Sequence, residues 1–406
     1  MVGTQTVADT NFDKRWRIAG LITAAIAISY LDRQTLPVAI AAIQQDIPVS
    51  NTQFSQLQAA FLVAYAVMYA AGGKLMDAWG TKTGFGVIMV AWSAACAAHG
   101  LATAFIGLAI CRFLLGMGEG GGFPAATKAV AEWFTPQQRS TAMGMINAGT
   151  AVGAVIAPPA IAAIIALWGW RWVFFLTGAA GLIWSWVWWK IYFTPLRPDA
   201  VERGVPWFRL LGIRQVWGLV LAKFLSDAAW YFYLFWLPKY LYDVRGFDTK
   251  QVGAYAWIPY AASGFGSLLG GWFSSRLLRR GASVNRARKI TLGLSAALMP
   301  WIFFVTQSPV EVALFLFSLA FCGQQSWSTL VMTLPTDLFP RASVGAVAGL
   351  VGFGGAMGGV VFGLVVGSLL DSGAGYETVF AMVSLMHVTA FGVILGAIPR
   401  IEPLQA

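Results

Sequence analysis

The chain has 406 residues, of which 58% are hydrophobic and only 11% are charged, and its mean hydropathy is +0.68. A soluble domain typically carries about 25% charged residues, so the composition excludes that class and predicts an integral membrane protein. The net charge of +10 does not indicate nucleic-acid binding, because the basic residues alternate with apolar segments instead of forming one patch.

Long apolar segments recur along the chain, and many are long enough to cross a bilayer as a helix of about 20 residues. Their hydrophobicity is continuous rather than alternating, which favours helices over a β-barrel. Turn signals predict twelve helices, numbered 1 to 12, at residues 17–45, 51–73, 83–103, 105–134, 138–168, 171–193, 215–242, 249–277, 287–306, 309–338, 343–370 and 376–398. The predicted fold is an all-α membrane protein with twelve transmembrane helices.

Basic residues concentrate in every second loop of this topology. The loop between helices 8 and 9 alone holds Arg276, Arg279, Arg280, Arg286, Arg288 and Lys289, whereas the alternate loops hold only Arg171, Lys239, Arg245 and Lys250. Cytoplasmic loops are enriched in Lys and Arg, so both termini are predicted to be cytoplasmic in a cell inner membrane. Residues 1–14 lack the apolar core of a signal peptide, so helix 1 is expected to be retained.

The two halves of the chain echo each other. The glycines at 144, 149 and 153 in helix 5 match those at 349, 354 and 358 in helix 11 at one constant offset. Small residues allow close helix approach, so helices 5 and 11 are predicted to be equivalent. The chain then divides into a six-helix bundle at 1–193, a cytoplasmic linker at 194–214 and a second six-helix bundle at 215–406. Such repeats place a substrate site at their interface near the midplane.

Four charged residues lie inside otherwise apolar helices: Asp32 and Arg33 in helix 1, and Arg112 and Glu119 in helix 4. A charge at mid-bilayer costs about 2.5–3.5 kcal/mol on insertion scales and usually marks an ion or substrate path. Arg112 and Glu119 are separated by two helical turns, about 10 Å along one face, so both can address the same cavity. Asp32 and Arg33 diverge by roughly 100°, so one should turn toward a neighbouring helix.

Four motifs carry a resemblance to a known family. They are YLDR at 30–33, GKLMDAWGTK at 73–82, CRFLLGMGEG at 111–120 and FWLPKYL at 235–241. Together they resemble the major facilitator superfamily, and within it the anion:cation symporters that carry sugar acids. The motif at 235–241 is similar to that of hexuronate-transporting members. The resemblance extends over essentially the whole chain.

The resemblance implies roles for the charged residues. Arg33 is expected to meet the substrate carboxylate, which a planar guanidinium can bind through two hydrogen bonds. Asp32 and Glu119 are expected to carry protons, with no other cofactor. Arg112 is either a second anion contact or the counter-ion of an acid. The alternative for all four is a structural ion-pair network between helices 1 and 4.

A hydroxylated sugar acid also needs polar groups on an aromatic wall. The candidates are Tyr30, Tyr65, Asn147, Tyr231, Tyr233, Gln324, Gln325, Ser326 and Trp327; the family places substrate contacts at Tyr30 and Tyr65. For the aromatic residues the alternative is packing at the lipid interface. Lys223 and Asp227 are spaced for a local salt bridge in helix 7, with a role in proton coupling as the alternative.

The leading functional hypothesis is a proton symporter that imports a monoanionic sugar acid, most specifically a hexuronate. Another organic acid, such as an aldonate, aldarate or small monocarboxylate, is the neighbouring hypothesis, and a non-transporting sensor is a more distant one. An enzyme is not expected, because no nucleophile with its base, metal-ligand cluster or nucleotide loop is visible. His99, His387 and the three cysteines lack metal-site spacing. The expected partners are a small organic anion and the lipid bilayer, and the expected state is a monomer.

Overall fold

The computed structural model describes residues 5–134, 136–194 and 207–404. Twelve helical segments cross the bundle in this part of the chain, and three of them are broken into two pieces. They are α1 (Gln5–Asp46), α2 (Asn51–Trp79), α3 (Thr81–Ala98), α4a (Phe105–Gly120), α4b (Gly122–Trp133), α5 (Pro136–Trp168), α6 (Trp170–Ile191), α7 (Arg214–Asp243), α8a (Thr249–Tyr255), α8b (Trp257–Arg279), α9 (Val284–Ala297), α10a (Val310–Val331), α10b (Leu334–Leu338), α11 (Arg341–Asp371) and α12 (Tyr376–Ala397). Each segment corresponds to one predicted helix, so the all-α prediction is confirmed.

Several predicted boundaries were wrong. Helix α1 begins well before residue 17, and α2 continues to Trp79 through the segment predicted as a loop. Gly80 alone separates α2 from α3, with a φ of 74° that glycine adopts without steric cost. Predicted helix 9 ends at Ala297 and continues only as a 3-10 turn over Pro300–Phe304. The side chains of Lys74 and Asp77 in the family motif lie outside the described residues.

Both described ends of the chain lie at one end of the bundle, which we call the terminal end. Arg214, at the start of α7, donates to the carbonyl of Gly396 at 2.7 Å, and Lys289 in α9 donates to that of Pro399 at 2.6 Å. Arg15 in α1 bonds to Gln138 at the start of α5. The other end is called the opposite end. The cytoplasmic location of the terminal end stays a prediction.

The glycine repeat packs equivalently in the two halves. A Cβ at Gly149 or Gly153 of α5 would collide with the backbone of α1, at Thr23 and Ala27. In the second half, Gly354 and Gly358 of α11 lie in the same way against Val220 and Phe224 of α7. The predicted equivalence of helices 5 and 11 is therefore confirmed: each holds the first helix of its own half by backbone contact. The exact limits of the halves and of the linker at 194–214 stay predictions, since residues 195–206 are outside the described part.

Three glycines fix α4a inside the first half. Cβ atoms at Gly116 and Gly120 would meet the carbonyl oxygens of Phe61 and Tyr65 in α2, and one at Gly118 would meet Trp92 in α3. This approach holds Glu119, which lies between two of these glycines, in the interior. The helix is then interrupted at Gly121, so the glycine-rich segment provides both close packing and a break.

The two halves are joined by hydrogen bonds toward the opposite end. The carboxylate of Asp371, the last residue of α11, accepts from the backbone N–H groups of Asn51 and Thr52 at 3.0 and 2.7 Å. It thus caps the N-terminus of α2 from the other half of the molecule, where the helix dipole favours an anion. Two further bonds join the halves: Tyr242 donates to the Val38 carbonyl at 2.7 Å, and Tyr260 donates to the Gln34 amide oxygen at 3.2 Å.

The outer surface carries many exposed apolar side chains, including Leu101, Trp186, Phe265, Leu268 and Leu385. In water such a surface would promote aggregation, so its solvent is lipid. Among the described helices, six segments are long and apolar enough to cross a membrane by length and composition. Helices α1 and α7, which carry buried charges, are not among the six.

Replacement of Asp371 by alanine is expected to increase the population open at the opposite end. The variant loses a helix cap worth about 1 kcal/mol, which changes a balanced equilibrium about fivefold. The measurement is the distance distribution between spin labels at Leu101 and Phe303, two exposed residues of that end, with Cys111 and Cys322 replaced by serine. Asp248→Ala is the control, because Asp248 caps α8a at the same end from within the second half. An equal shift in Asp248→Ala would contradict a role for the contact between halves.

Replacement of Gly120 by alanine is expected to destabilise the protein by about 1–3 kcal/mol, the usual cost of overpacking. The added methyl group meets the Tyr65 carbonyl and the Met68 side chain. The measurement is the thermal unfolding midpoint in detergent. Gly144→Ala is the control, since a Cβ there meets nothing within 4 Å. If both variants unfold at the same temperature, close approach of α4a does not limit stability.

Candidate functional site

A buried ion pair between α1 and α4a forms the centre of the site. The Arg33 Nε atom donates to Glu119 Oε2 at 2.7 Å, and the exposed fractions of the two side chains are 3% and 0%. Ser29, one turn earlier in α1, donates to the same oxygen at 2.7 Å. The other carboxylate oxygen, Oε1, is inaccessible to solvent, which we call sealed, and it has no hydrogen-bond partner among the described residues. Glu119 is thus held by α1 through one oxygen only.

The terminal nitrogens of Arg33 are left available. Neither of them hydrogen-bonds to a described residue, and neither is among the sealed atoms without partners. The guanidinium lies over the rings of Tyr65 at 4.5 Å and Tyr30 at 4.6 Å, a distance at which cation–π attraction is significant. The arginine therefore presents an open donor fork that is framed by two aromatic rings.

Asp32 faces away from Arg33, as the helical geometry of adjacent residues predicts. Its Oδ1 atom accepts from the Cys96 thiol of α3 at 3.4 Å, and that sulfur lies 3.2 Å from the Thr177 hydroxyl of α6. Its Oδ2 atom is sealed without a described partner. Asp32 thus belongs to a second, closed polar pocket behind α1.

Arg112 lies in the sealed region. Its side chain is fully buried, its only described hydrogen bond goes to the Arg33 carbonyl at 3.4 Å, and its Nε and one terminal nitrogen have no partner. It does not share an open face with Glu119, although the two residues are two helical turns apart. The Arg112 guanidinium instead lies 5.6 Å from the centre of the Phe61 ring of α2.

In the second half, Tyr231 of α7 faces the first half. Its ring stacks on Phe235 at 5.7 Å, and Phe235 contacts Phe61 of α2 edge-on at 6.4 Å. The Tyr231 hydroxyl oxygen has no hydrogen bond to a described residue and is not sealed from solvent. Tyr233 points elsewhere: its hydroxyl is sealed without a partner, and its ring packs against Phe321 of α10a. Two residues along a helix turn a side chain by roughly 200°, so only one of these tyrosines can face the interface.

The predicted polar residues of α10a diverge in the same way. Gln324 is buried and donates to Asp227 at 3.4 Å, whereas Ser326 shares a hydrogen bond with Ser295 of α9 at 2.7 Å. Trp327 is buried against His387 of α12, with its indole N–H sealed. Gln325 is half-buried. Gln324 is therefore the member of this group that reaches α7.

Asn147 is exposed on α5, and the described contacts do not connect its side chain to the Arg33–Glu119 pair. The structure thus brings Tyr30, Arg33, Tyr65, Glu119 and Tyr231 together. It places Asp32 and Arg112 in the closed region behind α1. The roles of all these residues stay predictions.

Sequence reasoning missed several neighbours of the site. Ser29 is one turn before Arg33, a spacing that places both on one face. Phe61 and Tyr69 flank Tyr65 at four-residue intervals in α2, and the Tyr69 ring lies 5.8 Å from that of Tyr65; this stripe was a usable signal. His387, predicted to be isolated, donates a hydrogen bond from its Nε2–H group to the Gln324 amide oxygen. No sequence signal links those two residues.

The arrangement suits a small anion. An unpaired guanidinium fork can bind a carboxylate through two hydrogen bonds, and the aromatic rings offer apolar faces to a sugar-sized ligand. Because Arg33 is also paired with Glu119, a substrate carboxylate that binds Arg33 must share the positive charge of the guanidinium with Glu119.

Comparisons with known proteins agree with this geometry. The family model for the Major Facilitator Superfamily matches residues 22–362 of this chain. The chain is 31% identical to the hexuronate transporter of Escherichia coli (strain K12) over 96% of both chains, and 31% identical to the galacturonate transporter of Dickeya chrysanthemi over 70% of this chain and 89% of that one.

A crystal structure of a bacterial homologue of the human lysosomal transporter Spinster, inward-facing and occupied, shares the fold. Its TM-score is 0.74 at 18% identity, over 94% of this chain and 95% of that chain. The family and the named relatives are transporters rather than enzymes, and they are embedded in membranes. The twelve-helix fold, the internal repeat and the family match over most of the chain show that this protein belongs to the major facilitator superfamily.

Proposed function

We propose that this protein is a proton-coupled symporter that imports a hexuronate, such as glucuronate or galacturonate, across the bacterial inner membrane. The observation that carries the proposal is the arginine fork: Arg33 is paired through Nε to buried Glu119 and keeps its terminal nitrogens open between two tyrosines. The relatives named for hexuronate and galacturonate support the choice of substrate. The basic loops of the terminal end support a cytoplasmic location for both termini.

Coupling follows from competition for Arg33. When Glu119 is ionised, it neutralises the guanidinium, and a second carboxylate beside it is repelled. A proton on Glu119 removes that repulsion, so the substrate anion binds more tightly. Linkage is reciprocal: substrate binding promotes protonation of Glu119 by the same factor. Proton loss on the cytoplasmic side then weakens the site and releases the sugar acid.

Asp32 is the proposed second proton carrier. A carboxylate with one sealed oxygen and a thiol donor at 3.4 Å is costly to keep ionised, and a proton removes that cost. Arg112 is the charged group that would stabilise its anion within the closed pocket. Rocking of the two halves about the central site would expose these acids to opposite sides of the membrane in turn.

Purified protein in proteoliposomes is expected to accumulate labelled glucuronate and galacturonate when the lumen is alkaline, and to lose that accumulation with a protonophore. Arg33→Ala is expected to weaken binding by at least about 100-fold, because hydrogen bonds to a charged donor are lost. Arg286→Ala, which removes an exposed arginine of the terminal end, is the matched control. Binding by the unmodified protein without gradient-driven accumulation would favour a sensor or uniporter instead.

Glu119→Gln imitates the protonated carboxyl and is expected to retain binding and exchange but lose proton-driven accumulation. Its affinity for the sugar acid should no longer fall as pH rises, whereas that of the unmodified protein should. The measurements are binding titrations across pH and uptake under a fixed gradient. Unchanged accumulation in Glu119→Gln would show that this residue is not an obligatory coupler.

A further inference from the structure

A second buried ion pair lies in α7, in the half of the molecule that does not hold Arg33. Lys223 Nζ donates to Asp227 Oδ1 at 2.8 Å, and the exposed fractions of the two side chains are 8% and 9%. Buried ion pairs stabilise a fold poorly compared with apolar packing. A charged pair at this position therefore needs an explanation beyond the one-turn spacing that permits it.

The pair is tied to two other helices. Lys223 also donates to the Ser328 hydroxyl of α10a at 2.8 Å, and the Gln324 amide donates to Asp227 Oδ1 at 3.4 Å. Gln324 is in turn held by His387 of α12. All of these contacts orient the lysine and one oxygen of the aspartate, so the carboxylate cannot rotate freely.

The other oxygen of Asp227 is left open. Asp227 Oδ2 has no hydrogen bond to a described residue and remains accessible. Asp32 Oδ2 and Glu119 Oε1, by contrast, are both sealed. It lies directly against Gly355 of α11, where a side chain would collide with it. The structure thus holds one carboxylate oxygen of Asp227 at the edge of open space.

Asp227 and Arg33 lie at similar depth on facing helices. Arg33 is 13 residues before the opposite-end terminus of α1, and Asp227 is 16 residues before that of α7, which correspond to about 20 and about 24 Å. The Tyr30 ring lies 4.6 Å from the Arg33 guanidinium, and Tyr231 lies one helical turn after Asp227 in α7, on the same face as that carboxylate. The two tyrosines therefore bridge the region between the arginine fork and the open carboxylate oxygen.

We propose that Asp227 Oδ2 accepts hydrogen bonds from the hydroxyl groups of the substrate while Arg33 holds its carboxylate, and that Lys223 is the positioning residue that keeps Asp227 ionised and oriented. This inference rests on the proposed function. Hydrogen bonds from hydroxyls to a carboxylate are short and about twice as strong as neutral ones. A ligand without hydroxyls leaves the oxygen unpaired, and a ligand with a second anionic group is repelled by it, so the site selects monoanionic polyhydroxy acids.

A purely structural salt bridge is the competing explanation. It accounts for Oδ1, Lys223 and Ser328 but not for an open second oxygen beside a glycine. The two explanations differ in one measurable respect: only the proposed site makes affinity depend on the hydroxyl groups of the ligand.

The test compares D-glucuronate with cyclohexanecarboxylate, which has the carboxylate but no hydroxyls, by calorimetric titration of the full protein in detergent. The double variant Lys223→Gln with Asp227→Asn leaves no unpaired buried charge. It is expected to lose about 10- to 100-fold in glucuronate affinity and less than about twofold in cyclohexanecarboxylate affinity. Unchanged glucuronate affinity would overturn the inference and leave the proposed function intact, provided that Arg33→Ala abolishes binding. If the unmodified protein binds neither glucuronate nor galacturonate, the proposed function fails and the inference falls with it.

Gly355→Ala gives a second, steric test if the double variant does not fold. Its methyl group meets Asp227 Oδ2, so glucuronate affinity should fall while cyclohexanecarboxylate affinity is kept. Gly363→Ala is the control in the same helix, because a Cβ there meets nothing within 4 Å. Equal loss of both ligands in Gly355→Ala, or no loss of either, would overturn the proposal.

Discussion

The pairing of Arg33 with Glu119 is the interaction on which the rest of the site depends. A charge inside a bilayer must have a partner or reach water. The Arg33 guanidinium does both: its Nε atom pairs with Glu119, and its terminal nitrogens stay accessible. The carboxylate can reach α1 only because glycines at 116, 118 and 120 let α4a lie against the backbones of α2 and α3. Backbone packing and electrostatics are therefore parts of one arrangement.

Helix α1 separates two polar environments. On one side, Arg33 opens toward aromatic residues of both halves; on the other, Asp32 and Cys96 form a polar pocket that faces α3 and α6. Adjacent positions on a helix suffice for this division, because their side chains leave at about 100° to one another. A transporter that rocks about its midplane can use such a helix to keep one acid beside the substrate site and another away from it.

The two halves share a backbone plan but differ in chemistry. Glycines of α5 and α11 hold α1 and α7 in equivalent ways, and each of these two helices carries charge near mid-depth. In the first half the accessible polar atoms belong to Arg33, whereas in the second half the accessible atom is a carboxylate oxygen of Asp227. An anion with hydroxyl groups is complementary to that polarity, since its carboxylate and its donors face opposite charges.

The sequence by itself determined the fold class, the helix count, the repeat and the identity of the charged residues, because apolar runs, constant glycine spacing and ions in lipid each have few physical solutions. It also predicted that Asp32 and Arg33 diverge. Only the tertiary structure decided which neighbours they meet. Arg112, Tyr233 and Trp327 were equally plausible site residues by type, but helix rotation places them in sealed packing. His387 and Gln324 are 63 residues apart, and their contact depends on how α10a and α12 pack, which no local pattern encodes.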